Sequence, residues 1–252
     1  MVRAMTSHDG PKRYGHVDFN SPIAPWRADR LVHDLAAASP ATIADIGCGW
    51  GELLLRLAAA VPAASAVGID GDTELLDRGR ANAEARGLAE RVRFVEYLGE
   101  DWTEPADLVV CSGAAHAFGG TAPALAGLAK LVNPGGRLLF GDAFWERIPT
   151  EAELATMWPG TTVEEMLPLP ELVDAGIGAG LRPLQVTSVE RGEWEYFESG
   201  FLADKETWLL EHPDDERAEQ IREGVDEHRN WWLRGHRGLV GYAYVTFGRP
   251  VR

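Results

Sequence analysis

Asp45, Gly47, Gly49 and Gly51 stand in the run Ala44-Asp45-Ile46-Gly47-Cys48-Gly49-Trp50-Gly51-Glu52. Glycine takes positive φ without penalty and lets a ligand approach the backbone closely. The apolar run Ala41-Thr42-Ile43-Ala44 precedes these residues, and Leu53-Leu54-Leu55-Arg56-Leu57-Ala58 follows them. That order predicts a strand, a tight glycine turn and a buried helix. The first turn of a helix carries unpaired N–H groups and a partial positive charge, so such a turn is a binding crook. Its spacing is not the G-x-G-x-x-G of dinucleotide folds, because the third glycine comes one residue early. An acid directly before the turn, Asp45, is also foreign to that fingerprint.

Other reactive side chains fall at the ends of further apolar runs. Ala64 to Asp70 predicts a second strand, and Asp70 lies about 20 residues beyond the last glycine, the interval of an acidic ribose ligand in such folds. Asp72 is free to cap a helix over Thr73 to Arg86, which Gly87 ends. Val92 to Glu96 predicts a third strand, followed by Tyr97-Leu98-Gly99 and then Glu100, Asp101 and Trp102. Ala106 to Cys111 predicts a fourth, running into Ser112-Gly113-Ala114-Ala115-His116. Ligands of open α/β sheets bind outside the carboxyl ends of the strands, which puts Cys111, Ser112, Gly113 and His116 at the site. A helix over Ala122 to Leu131, a Pro134-Gly135-Gly136 turn and a fifth strand follow, and the chain leaves that strand through Phe144-Trp145-Glu146-Arg147.

The first glycine motif, Asp70 at its distance and the Pro-Gly-Gly turn occur in an order that resembles the class I S-adenosylmethionine (SAM)-dependent methyltransferases. The resemblance covers roughly residues 24–145. It implies an α/β, Rossmann-like fold with a seven-stranded, mostly parallel sheet whose last strand is antiparallel. It implies SAM as cofactor and S-adenosyl-L-homocysteine as product. Asp45, Gly47, Cys48, Gly49, Gly51, Asp70 and Gly71 would hold the cofactor, and Cys111, Ser112 and Gly113 would face its sulfonium. A helix from Trp26 to Ala38 would cover it. Members of the family place an acid soon after the third strand, against the adenine. That place here is Tyr97-Leu98-Gly99, so Asp101 with a stacking Trp102 is the expected substitute.

The reaction so implied is methyl transfer to an O, N or C atom of a small-molecule acceptor. The protein's part is to bind, align and exclude water. An acceptor that carries a proton also needs a base. His116 fits by position and because imidazole ordinarily titrates near neutrality; Glu146 is a second candidate. Aromatic residues crowd the N-terminal segment and residues 193–237, and π faces suit a flat or apolar substrate near a positive sulfur. Tyr14, His16, Trp26, Trp145, Trp194 and Trp231, with His116, are the expected substrate contacts. The chain divides into an N-terminal cap (1–40), a cofactor-binding core (41–192), a helical lid insert (193–237) and a final strand (238–252). The insert reads as two helices, Glu193–Glu211 and Pro213–Arg234.

Composition bounds the partners. The 252 residues carry a net charge of −15, which repels nucleic acid and anionic membrane. Met1 to Gly10 lacks the apolar core of a signal peptide, and no apolar run reaches membrane-spanning length. Two cysteines without metal-ligand spacing or a disulfide framework point to a reducing cytoplasm and no metal. A monomer and a homodimer both remain open. So do two other functions: a SAM-binding regulator without transfer activity and an NAD(P)-dependent oxidoreductase. The glycine spacing argues against the second.

Overall fold

The structure, a computed structural model, describes residues 10–252; the reading of Met1 to Gly10 falls almost wholly outside them. Four near-continuous apolar runs form β1 (Thr42–Ile46), β2 (Ser65–Asp70), β3 (Val92–Glu96) and β4 (Ala106–Ser112). A parallel strand covered by helices on both faces has no polar side, and Leu108, Val109, Val110 and Cys111 are all buried. The covering helices are α1 (Pro25–Ala36), α2 (Glu52–Ala60), α3 (Thr73–Ala85) and α4 (Thr121–Leu131). Asp72 caps α3 as expected, accepting from the N–H groups of Glu74 and Leu75.

The Pro-Gly-Gly segment is not a free turn. It lies within β5 (Val132–Trp145), where Ala106 of β4 faces Val132 and Leu108 faces Arg137. The extra residues form a bulge, with Gly135 at φ +82°. The chain continues through α5 (Glu151–Leu154), α6 (Leu169–Gly178), β6 (Arg182–Ser188), α7 (Arg191–Glu211), α8 (Ala218–Asn230) and β7 (Val240–Gly248). The seven strands form one sheet, β3-β2-β1-β4-β5-β7-β6. Pairing is parallel from β3 through to β5, and β7 runs antiparallel to both β5 and β6. Among the described residues no helix is long and apolar enough to cross a membrane.

The insert differs from its expected form at its second helix. Helix α8 begins at Ala218 rather than Pro213, and beyond Asn230 the chain widens into a π-turn, Trp231–His236. The Arg237 N–H donates to the Trp232 carbonyl at 2.9 Å, a five-residue step. Gly235 is needed there, because a Cβ would lie 2.5 Å from the Thr156 carbonyl oxygen. Glu193, in the first turn of α7, is buried and takes Arg27 of α1 in a forked contact at 2.6 to 3.0 Å. It also accepts the N–H groups of Ala24 and Glu190. This pair anchors the insert to the helix that precedes the sheet.

Candidate active site

Two cavities open at the carboxyl ends of the strands. The first, of about 390 Å³, lies against the glycine turn. Gly47 and Gly51 shape that turn from behind. A Cβ on Gly47, at φ +72°, would lie 2.3 Å from the Ala114 Cβ, and one on Gly51, at φ +67°, would lie 2.5 Å from the Phe94 ring. Gly49 has no such neighbour; its N–H donates to Asp70 Oδ2 at 2.7 Å. The other Asp70 oxygen accepts the Asp72 N–H at 2.9 Å. Asp45 is buried and lines the cavity, and its side chain makes no hydrogen bond among the described residues. Burial, and then the charge of Asp70, pushes its carboxyl up to about 8. Asp45, Glu52 and Asp70 line this cavity and, among the described residues, no Lys or Arg does; Glu52 is paired with Arg56 and Arg86.

The second cavity, of about 500 Å³, lies between the ends of β4, β5 and β7 and the inner side of the insert. Gly113, His116, Asn20 and Ser21 line both cavities. A chain of hydroxyls backs this shared wall. Ser112 Oγ lies 2.8 Å from the Tyr242 hydroxyl, and Ser21 Oγ lies 3.0 Å from that of Tyr244. Asp142 of β5 lines the second cavity, one step beyond the Ser112–Gly141 pair in the ladder. Burial pushes its carboxyl up to about 6, against the Thr121 hydroxyl at 2.7 Å, the Ala143 N–H at 3.0 Å and the nearby His116 ring. The far side is aromatic: Trp194 stacks on Trp232, with centroids 5.5 Å apart and planes 9° apart.

This geometry has close counterparts. A family model described as a methyltransferase domain matches residues 43–136. The uncharacterised protein YjhP of Escherichia coli (strain K12) is 30% identical over 209 residues, 82% of this chain and 79% of its own. A SAM-dependent methyltransferase from Geobacter sulfurreducens, solved in complex with S-adenosyl-L-homocysteine, superimposes with a TM-score of 0.81 at 25% identity, over 91% of this chain and 92% of that one. The chain belongs to the class I SAM-dependent methyltransferases. The solved structure of E. coli YjhP also gives a TM-score of 0.81 at 25% identity, over 93% of this methyltransferase and 96% of that chain.

Several expected contacts of this methyltransferase do line the cavities. Asp45, Gly47, Cys48, Asp70, Gly71, Ser112, Gly113 and His116 line the first, and Trp194 lines the second with His116. Others stand elsewhere. Gly49 and Gly51 form the turn but not the cavity wall. Cys111 is wholly buried in the sheet, one residue short of the opening, and burial pushes its thiol up. Asp101 is exposed, and Trp102 is buried in the core with its indole N–H on the Glu104 carbonyl. Tyr97, Leu98 and Gly99 line the cavity where those two were expected.

The remaining expected substrate and base residues stand outside both cavity walls. Glu146 is exposed beyond the end of the β5–β7 ladder. Trp145 is buried, its indole N–H on the Val163 carbonyl. Trp26 is 57% exposed, under the Arg27 guanidinium at 4.7 Å. Tyr14 packs on Trp50 at 5.3 Å, and His16 Nδ1 meets Asp204 at 3.0 Å. Trp231 is displaced by the π-turn, which brings Trp232 and His236 to the second cavity. Trp232 is visible in the sequence only as one of the insert's crowded aromatics, and sequence reasoning missed Asp142, Trp158, Glu198, His236 and Tyr242. Only Asp142 carried a signal, an acid at a strand's carboxyl end, and the strand runs on past it to Trp145.

Proposed function

We propose that the protein transfers a methyl group from SAM to a small-molecule acceptor, with the cofactor in the first cavity and the acceptor in the second. The observation that carries this reading is the wall the two cavities share, Gly113 and His116. The first cavity fits the cofactor on charge. Asp70 lines it beside a buried Asp45 carboxyl that has no side-chain hydrogen bond, and a cationic ligand would let Asp45 ionise there. A pyrophosphate would meet the Asp70 carboxylate there with the Asp45 carboxyl beside it, and among the described residues no Lys or Arg lines the cavity, which argues against a dinucleotide. Two backbone N–H groups occupy part of the Asp70 carboxylate. A carboxylate offers about four acceptor positions, so room remains for ribose hydroxyls.

SAM supplies an activated methyl group on a positively charged sulfur. The chain supplies the rest. Asp45, Asp70, Gly47, Cys48 and Gly71 hold the cofactor, and Ser112 and Gly113 leave space at the transfer point. Residues 193–237 act as a lid that keeps water from the acceptor. His116 takes the acceptor's proton, and its place on the shared wall is the support for that role. The test is release of S-adenosyl-L-homocysteine from SAM across a library of small metabolites. Turnover with one chemical class is expected. SAM binding without turnover on any member would favour a non-catalytic regulator.

A further inference from the structure

The polar groups of the second cavity are unevenly distributed. Asp142 and Glu198 line it together with two exposed glutamates, and among the described residues no Lys or Arg does. Glu198 is already satisfied, by the Trp194 indole N–H at 3.3 Å and His228 Nε2 at 2.8 Å. Asp142 accepts two hydrogen bonds but pairs with no Lys or Arg. A carboxylate removed from water without a counter-charge is costly. The site therefore lacks a positive charge.

His236 adds an independent gap. It is 3% exposed and lines the same cavity. Its Nδ1 lies 3.0 Å from the Trp231 carbonyl, so Nδ1 carries the proton and Nε2 is a bare acceptor. Nε2 is buried with no hydrogen-bond partner among the described residues. Burial holds the ring's pKa below its usual value and so keeps it neutral. An orphaned buried acceptor is costly until a donor reaches it. The walls beside it are π faces: the Trp158 ring lies 4.5 Å from the His236 ring, and the stacked Trp194–Trp232 pair stands on the same cavity.

We infer that the second cavity is a cation site and that the methyl acceptor is an amine carrying an aryl or other bulky apolar group. The inference rests on the methyltransferase reading above. An ammonium brings the charge that Asp142 lacks and the donor that His236 Nε2 lacks, and it is attracted to the tryptophan faces. A carboxylate ligand would be repelled by Asp142. A neutral alcohol would leave Asp142 uncompensated. A bound ammonium holds its electron pair in an N–H bond. Loss of that proton to the Asp142 carboxylate or the His116 ring leaves the pair on nitrogen, free to bond the methyl carbon as the carbon–sulfur bond breaks and its electron pair stays on the sulfur of S-adenosyl-L-homocysteine.

The test uses three probes with one frame and different charge: indole-3-ethylamine, indole-3-ethanol and indole-3-acetate. Their binding is measured by calorimetry on the whole protein loaded with S-adenosyl-L-homocysteine. The amine should bind at least about tenfold more tightly than the alcohol, and the acetate more weakly still. Trp158 is 41% exposed, so Trp158→Leu should fold; it should weaken the amine about five- to tenfold and leave S-adenosyl-L-homocysteine binding unchanged. Asp142→Asn should shrink the preference of amine over alcohol to below about threefold. Equal or tighter binding of the alcohol or acetate overturns the inference, and so does binding of none of the three to the loaded protein. Failure of S-adenosyl-L-homocysteine itself to bind overturns the methyltransferase reading instead.

Discussion

The walls of the first cavity follow their strands within a few residues: Gly47 and Cys48 after β1, Asp70 and Gly71 at the end of β2, Tyr97 to Gly99 after β3, Ser112 and Gly113 at the end of β4. The second cavity draws instead on Asp142, Trp158, Trp194, Trp232 and Tyr242, which lie on four elements and a loop. One is made by turn chemistry at strand ends, the other by packing between distant segments. The first therefore tolerates change only where the backbone is tight. The second is expected to adapt through its side chains. The shared residues Gly113 and His116 are where the two constructions meet.

The largest effect that separates the cavities is expected at His116. His116→Gln keeps a hydrogen bond but no base of comparable strength. Turnover should fall by about 10²–10⁴-fold. Affinity for S-adenosyl-L-homocysteine, read by calorimetry, should hardly move. A Gln variant with full activity would make His116 a positioning residue, and lost cofactor affinity would assign it to the first cavity alone.

Within the glycine turn, Gly47→Ala and Gly49→Ala should part company. Both sit at positive φ, but only a Cβ on Gly47 collides, at 2.3 Å from Ala114. Adding overpacking to the left-handed strain gives a cost of about 3 kcal/mol for Gly47→Ala and about 1 kcal/mol for Gly49→Ala. Urea denaturation measures both, and equal losses would contradict the role given to Ala114. Asp70→Ala should weaken S-adenosyl-L-homocysteine binding by about 1–3 kcal/mol. It also leaves the Gly49 and Asp72 N–H groups without their acceptor, so its stability should drop as well. Unchanged affinity in a folded variant would remove Asp70 from the cofactor site.

The smallest expected signal is a pH slope. Asp45 is raised from the ordinary 3.8 to about 8 in the folded protein. Between those values the folded state holds a proton that the unfolded state has released, so stability falls as pH rises. From pH 7 to pH 8 the ligand-free protein should lose about 1 kcal/mol through this group. Asp45→Asn should remove that part of the slope in denaturation curves taken at the two pH values. An unchanged slope would mean that Asp45 is not the buried proton holder.

The same contrast explains what could be read from the sequence. Asp45, the glycines, Asp70 and Ser112-Gly113 are local signals, since a tight turn or a strand end states its requirement within a few residues. Those same signals carry the family resemblance, and it is the resemblance that implies the sheet and its reversed last strand. Trp102 misled because its neighbours along the chain do not reveal that its indole N–H is satisfied by Glu104 and its ring by the core. Glu146 misled because it falls just past the last pair of the β5–β7 ladder, where it is exposed. Trp231 and Trp232 are indistinguishable in sequence. A π-turn, forced where Gly235 meets Thr156, decides which of them reaches the cavity.

The central claim is that the first cavity is a site for a cationic sulfur cofactor rather than for a dinucleotide. Calorimetric titration of the ligand-free protein with SAM, S-adenosyl-L-homocysteine and NAD in turn tests it most directly. Saturable binding of SAM and S-adenosyl-L-homocysteine, weakened in Asp70→Ala, with no heat from NAD, is the predicted result. Saturable NAD binding with none for either sulfur ligand would contradict the account.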